Sequence, residues 1–154
     1  MYINIYPWPS LNLKGPWYAT KRKFLGDALQ LCVVYMSSID VRQVIKMSPS
    51  EREKFMSQVF SQLMGLSREQ VVSALVDFIK QLSSAATDEQ YKEVCKTNVG
   101  IIAQLPEAAA KAVVQMRLEA QSRLPPGLRE RDQRLLNQAI AESPYRDKIM
   151  SLLK

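Results

Sequence analysis

From Ser48 to the C-terminus the chain alternates polar capping residues with apolar stripes of helical period. At about 100° per residue, Phe55, Met56, Val59, Phe60 and Leu63 fall on one side of a first helix, with Lys54, Ser57, Gln58 and Ser61 opposite. A second stripe is cleaner: Val71, Val72, Leu75, Phe78, Ile79 and Leu82 face one way, and Gln70, Ser73, Asp77 and Lys80 the other. Tyr91, Val94, Cys95, Ile101, Ile102 and Leu105 mark a third. In the fourth, Ala109, Val113, Met116 and Ala120 share a side while Val114 and Leu118 point towards another, so this nearly encircled helix is expected at the centre of the fold.

The ends of these segments carry their own signals. Ser48, with Pro49 behind it and Glu51 three residues on, reads as a capping box with proline at the first helical position, where its missing N–H costs nothing. Met64 ends that helix, and Gly65 is expected to take a left-handed cap. Ser67 with Gln70 and Thr87 with Gln90 repeat the box. Pro106 opens a fourth helix, the Pro125, Pro126 and Gly127 break precedes a fifth, and Ser143 with Pro144 resembles the opening of the first. Upstream, Ser38 is placed to cap a short helix carrying Val41, Val44 and Ile45.

Starts at 48, 67, 87, 105, 125 and 143 are 18 to 20 residues apart, a regular beat of one helix and one short connection. The expected fold is therefore all-α, six to seven helices in a compact bundle or a short helical-hairpin array. Stacked hairpins have a comparable pair period, but no residue pattern repeats in register beyond the Ser-Pro openings, so the bundle is the first expectation.

Residues 1–35 do not share the pattern. They hold both tryptophans and three prolines, with no helical stripe before Lys21. The chain accordingly divides into an N-terminal extension, residues 1–35, and a single helical domain, residues 36–154. The extension reads either as disordered or foreign sequence upstream of a natural start at Met36, or as an aromatic arm that docks on the body or on a partner. Its apolar run from Leu29 to Met36 is too short to span a membrane, which takes roughly 20 residues, and no cleavage pattern follows it.

Composition narrows the chemistry. The hydrophobic and charged fractions, 47% and 23%, are those of a globular chain, and five glycines disfavour a turn-rich β fold. There is no histidine, which removes the commonest general base and zinc ligand together. Cys32 and Cys95 lie outside any paired-cysteine motif, so no metal site is expected and a reducing, cytoplasmic setting is. The isolated glycines make no phosphate-binding loop, and neither catalytic residues nor a cofactor are predicted.

Two residues break the stripes. Asn98 falls near the centre of the third, with Gly100 two positions on, and the expectation is a helix end or kink there. Asp132 falls among Leu128, Leu135 and Ala139; a position near a helix start, where a carboxylate suits the exposed N–H groups, is the first expectation, and pairing with an arginine the second. Around it Arg117, Arg123, Arg129, Arg131 and Arg134 form the one arginine-rich segment, with Glu130 spaced to pair with Arg134.

These features point to a non-catalytic helical protein–protein interaction module, an adaptor, assembly factor or regulatory subunit, whose partner is another protein or a second copy. Met56 and Met64 beside Phe55 and Phe60 supply an adaptable apolar surface, and the arginines a charged rim. The alternative is weak nucleic-acid binding through residues 117–134. The net charge of +6 does not favour it, because half of that sum sits in the first 35 residues, and no aromatic residue lies between Gln115 and Ser143 to stack on bases.

Overall fold

The computed structural model describes residues 39–154, which form seven α-helices: α1 (Val41–Lys46), α2 (Pro49–Leu63), α3 (Arg68–Ala85), α4 (Asp88–Gln104), α5 (Glu107–Ser122), α6 (Pro126–Glu142) and α7 (Arg146–Leu152). There is no strand among the described residues. The expectations for residues 1–35, for a start at Met36 and for a cap at Ser38 lie outside them. Asp40 caps α1, its carboxylate accepting from Arg42 N at 3.0 Å.

Capping fixes the next three helix starts. In α2, α3 and α4 the N-cap hydroxyl of Ser48, Ser67 or Thr87 accepts from the third helical N–H, while Glu51, Gln70 or Gln90 reaches back to the cap N–H, satisfying two otherwise unbonded donors. Two expected ends differ. Gly65 does not adopt a left-handed conformation; Met64 is a right-handed C-cap, and Gly65 N donates to Gln62 O and Leu66 N to Leu63 O, a tightened last turn that satisfies the terminal carbonyls without positive φ. Ser143 is the C-cap of α6, and its hydroxyl accepts from Tyr145 N across a short turn before α7 begins at Arg146. Pro144 therefore lies between the two helices rather than in the first turn of the second.

Each helix packs on the one two places along: α1 on α3, α2 on α4, α3 on α5, α4 on α6 and α5 on α7. The result is two rows, α1–α3–α5–α7 and α2–α4–α6, packed face to face as one bundle, the first of the two forms the sequence led us to expect. The helix at the centre is α4, not α5 as its encircling apolar residues implied. It touches α1, α2, α5, α6 and α7. In α5, Leu118 is 44% exposed, and one side of the expected collar faces outward.

One continuous core runs from Ile39, Val41 and Val44 through Val59, Phe60, Val72 and Ile79 to Tyr91, Val94, Leu135 and Ala139. A smaller cluster of Val99, Ala103, Ala110, Val114, Ile140, Ile149 and Leu152 seats α7. Arg52 is buried in the joint between α1 and α2, where its Nε donates to Val44 O at 3.1 Å and its Nη2 to Met47 O at 2.9 Å, tying down carbonyls at the end of α1.

Candidate protein-interaction site

The five arginines singled out from the sequence do not converge on one surface. Arg117, on α5, points inward: its Nη2 donates to Asp132 Oδ1 at 2.5 Å. Arg123, at the end of α5, donates to Glu69 Oε1 at 2.6 Å and to Glu119 Oε1 at 2.6 Å, and Glu119 also accepts from Arg68 at 2.8 Å, forming a surface network between α3 and α5. Arg129 donates to Leu124 O at 3.1 Å. Arg134 pairs with Asp88 at 2.9 Å, rather than with Glu130.

Arg131 is the most engaged. Its Nη1 donates to Ser83 O at 2.6 Å, its Nη2 to Ala86 O at 2.8 Å and its Nε to Asp88 Oδ1 at 2.9 Å, while the guanidinium lies 5.4 Å from the centre of the Tyr91 ring. The fork thus closes the carbonyl end of α3, meets the first residue of α4 and anchors both to α6. The bonds from Arg134 and Arg131 hold the Asp88 carboxyl below its ordinary range. With four of the five bound to carboxylates and the fifth to a backbone carbonyl, the segment 117–134 is built chiefly to hold the helices together.

Asp132 corrects a second expectation. It is the seventh residue of α6, not part of its first turn, and is 0% exposed. Its carboxylate accepts from Tyr91 Oη at 2.5 Å, Arg117 Nη2 at 2.5 Å and Gln121 Nε2 at 2.7 Å, joining α4, α5 and α6. Burial by itself would raise its pKa; the Arg117 charge and the three bonds outweigh that and hold it below the usual carboxylate range. Tyr91 shifts the other way, raised first by burial and then by the Asp132 charge. Cys95, one turn along α4, is buried, and burial pushes its thiol up to about 12, which leaves it a poor nucleophile.

Asn98 does not end its helix. α4 runs unbroken from Asp88 to Gln104, and the Asn98 Oδ1 is buried without a hydrogen-bond partner among the described residues. Gly100 lies against the Tyr145 ring, which a Cβ at Gly100 would meet at 3.8 Å, an ordinary contact. The polar position is thus carried inside a continuous helix by the packing around it.

One apolar patch at the surface centres on Met64, the most exposed of the large apolar side chains among the described residues. Packing splits the methionine–phenylalanine side of α2: Met56 and Phe60 are buried, Phe55 is partly buried against the core, and Met64 is 48% exposed. Two shallow cavities flank it. One, of about 220 Å³, lies between α2 and the end of α4, where Ser57, Phe60 and Ser61 face Ile101, Gln104 and Leu105. The other, of about 70 Å³, is wholly apolar, with Phe60, Leu63 and Leu66 facing Val71, Leu75, Val113 and Met116. No charged side chain lines either cavity. The sequence placed Met64 beside this stripe but offered no means of separating it from Met56, because which methionine is covered depends on where α4 and α5 end.

Among the described residues there is no group of three or more histidine, cysteine, aspartate or glutamate side chains that could hold a metal ion, and no helix is long and apolar enough to cross a membrane. No family model matches the chain, and neither a curated protein nor a solved structure matches it.

Proposed function

We propose that this chain is a non-catalytic helical module that binds an apolar segment of a partner protein in the Met64 groove, as an adaptor, assembly factor or regulatory subunit does. The observation that carries the reading is the half-exposed Met64 between two uncharged cavities, on a body whose arginines are mostly occupied in internal pairs. A flexible thioether adapts to an incoming apolar side chain at little steric cost, and the rigid walls of Phe60 and Ile101 give that chain something to pack on. An uncharged lining favours an uncharged ligand segment, because a buried unpaired charge would be costly. The cytoplasmic setting expected from the cysteine usage belongs to the same proposal.

The test is capture from the native host with the full chain and with Met64→Glu, followed by reconstitution with the purified partner. We expect a stoichiometric protein whose binary complex is weakened at least about tenfold by the substitution, the loss of roughly 1.4 kcal/mol. A partner that binds Met64→Glu as well as the parent, or a purified monomer with a turnover activity, would sink the reading.

A further inference from the structure

The last two turns of α4 are shared between two packings. Val99 and Ala103 lie in the small apolar cluster with Ile149 and Leu152 of α7, while Ile101, Gln104 and Leu105, interleaved with them, line the Met64 groove. Besides the apolar cluster, two contacts tie α7 to this end of α4: the Tyr145 ring lies against Gly100, and Lys148 Nζ donates to Ala103 O. That carbonyl needs an outside donor, because Pro106, three positions on, has no N–H to give it, and a cation suits the negative end of the helix dipole. α7 itself is held by little else. It has seven residues, no side-chain N-cap, and only Ile149 and Leu152 buried, while Met150 and the following Leu153 are exposed. Among the described residues, Lys148 makes the only side-chain hydrogen bond or ion pair from α7 to another helix. So short a helix does not persist by its own propensity once its two apolar anchors leave the cluster.

We propose that α7 is a strap: it opens as one unit about the turn at residues 143–145, without the larger core, and its opening frees the end of α4 and so loosens that wall of the Met64 groove. Its contacts form a cluster separate from that core, which is what allows one to open while the other stays closed. The strap needs no partner to exist; its use as a regulator of the groove rests on the interaction reading. Coupling of this kind is reciprocal, so whatever binds the formed groove also favours the closed strap.

Amide exchange of the full chain under native conditions, read residue by residue, tests both halves. In the parent, the amides of residues 149–152 should exchange at least about a hundredfold faster than those of Val94 and Cys95, which sit in the larger core. In Ile149→Asp the chain should stay folded, and the amides of residues 102–105 should quicken at least about tenfold and exchange faster than Val94 and Cys95 by at least about the same factor. Lys148→Met, which takes the donor from Ala103 O and leaves the apolar anchors in place, should move the same amides the same way by a smaller factor. Exchange of α7 at the rate of Val94 and Cys95, an Ile149→Asp chain that unfolds as a whole, or unchanged exchange at residues 102–105 would each overturn the strap. A strap with no Met64-dependent partner would remove the interaction reading alone. A Met64-dependent partner with unchanged exchange at residues 102–105 would remove the strap alone.

Discussion

The guanidinium of Arg117 and the carboxylate of Asp132 lie 2.5 Å apart, fifteen residues apart in the chain and on different helices. The Asp132 side chain is wholly buried and that of Arg117 is 18% exposed. Two charges taken out of water repay their desolvation only when they remain paired, so each is a liability without the other. Replacing Asp132 by Ala should cost about 3 to 5 kcal/mol, because it strands Arg117 and also removes the acceptor for Tyr91 and Gln121. The double substitution Arg117→Met, Asp132→Leu should recover most of that loss. Urea unfolding of the two single variants and the double variant measures the coupling, and additive losses would refute it.

Acid and alkali should each weaken the fold, through different groups. Asp132 has a depressed pKa, so its contribution is present above the unfolded-chain value near 3.9 and is lost as pH falls through the lower folded value. Asp88 and Glu119, also held down by arginines, add to the same acid limb. Cys95 is raised to about 12, so above about pH 8.5 the unfolded chain sheds a proton that the folded chain retains, and stability falls as pH rises. Urea midpoints measured across pH should be flat near neutrality and decline on both sides. In Cys95→Ala the decline between about pH 8.5 and 10 should become shallower, and an unchanged slope would contradict the assignment.

Arg131 should matter more than its neighbour Arg134. Its fork closes the carbonyl end of α3, and Arg131→Ala should cost about 2 kcal/mol, with Arg131→Lys restoring less than half because an ammonium cannot span Ser83 O, Ala86 O and Asp88 together. Arg134→Ala removes only an exposed pair and should cost less than about 1 kcal/mol. Thermal or urea denaturation orders the two, and equal losses would argue against the clamp.

Gly100→Ala should stabilise the protein by about 0.5 to 1 kcal/mol. α4 is regular there, and the added methyl reaches the Tyr145 ring at an ordinary distance, so the gain in helix propensity meets no clash. A drop in the urea midpoint would mean that the glycine serves a close approach after all.

Nucleic acid should bind weakly and be released by about 0.15 M salt. Arg117, Arg123, Arg131 and Arg134 already bind carboxylates, Arg117 a wholly buried one, so a phosphate would have to displace them. Fluorescence anisotropy with a short duplex and a single strand checks this. Tight, salt-resistant binding lost in Arg129→Gln, Arg134→Gln would reverse it.

Features that depend on near neighbours were legible in the chain alone. Ser48, Ser67 and Thr87 mark helix starts because a capping box involves residues only three positions apart, and the stripes of α2 and α3 name their buried sides because a helix repeats every 3.6 residues. Features whose partner is remote were set by the packing of helices. Asp132 meets Tyr91 forty-one residues away, and Arg131 meets Asp88 forty-three away, so no local pattern distinguishes either from a solvated surface charge. Asn98 and Gly100 carry weak helix propensity, yet the packing of α2, α6 and α7 around α4 outweighs it and keeps the helix unbroken. Met56 and Met64 are alike in the chain and differ in the fold because neighbouring helices cover the middle of α2 and leave its end open, and only packing, which is a property of several segments at once, sets where that cover stops.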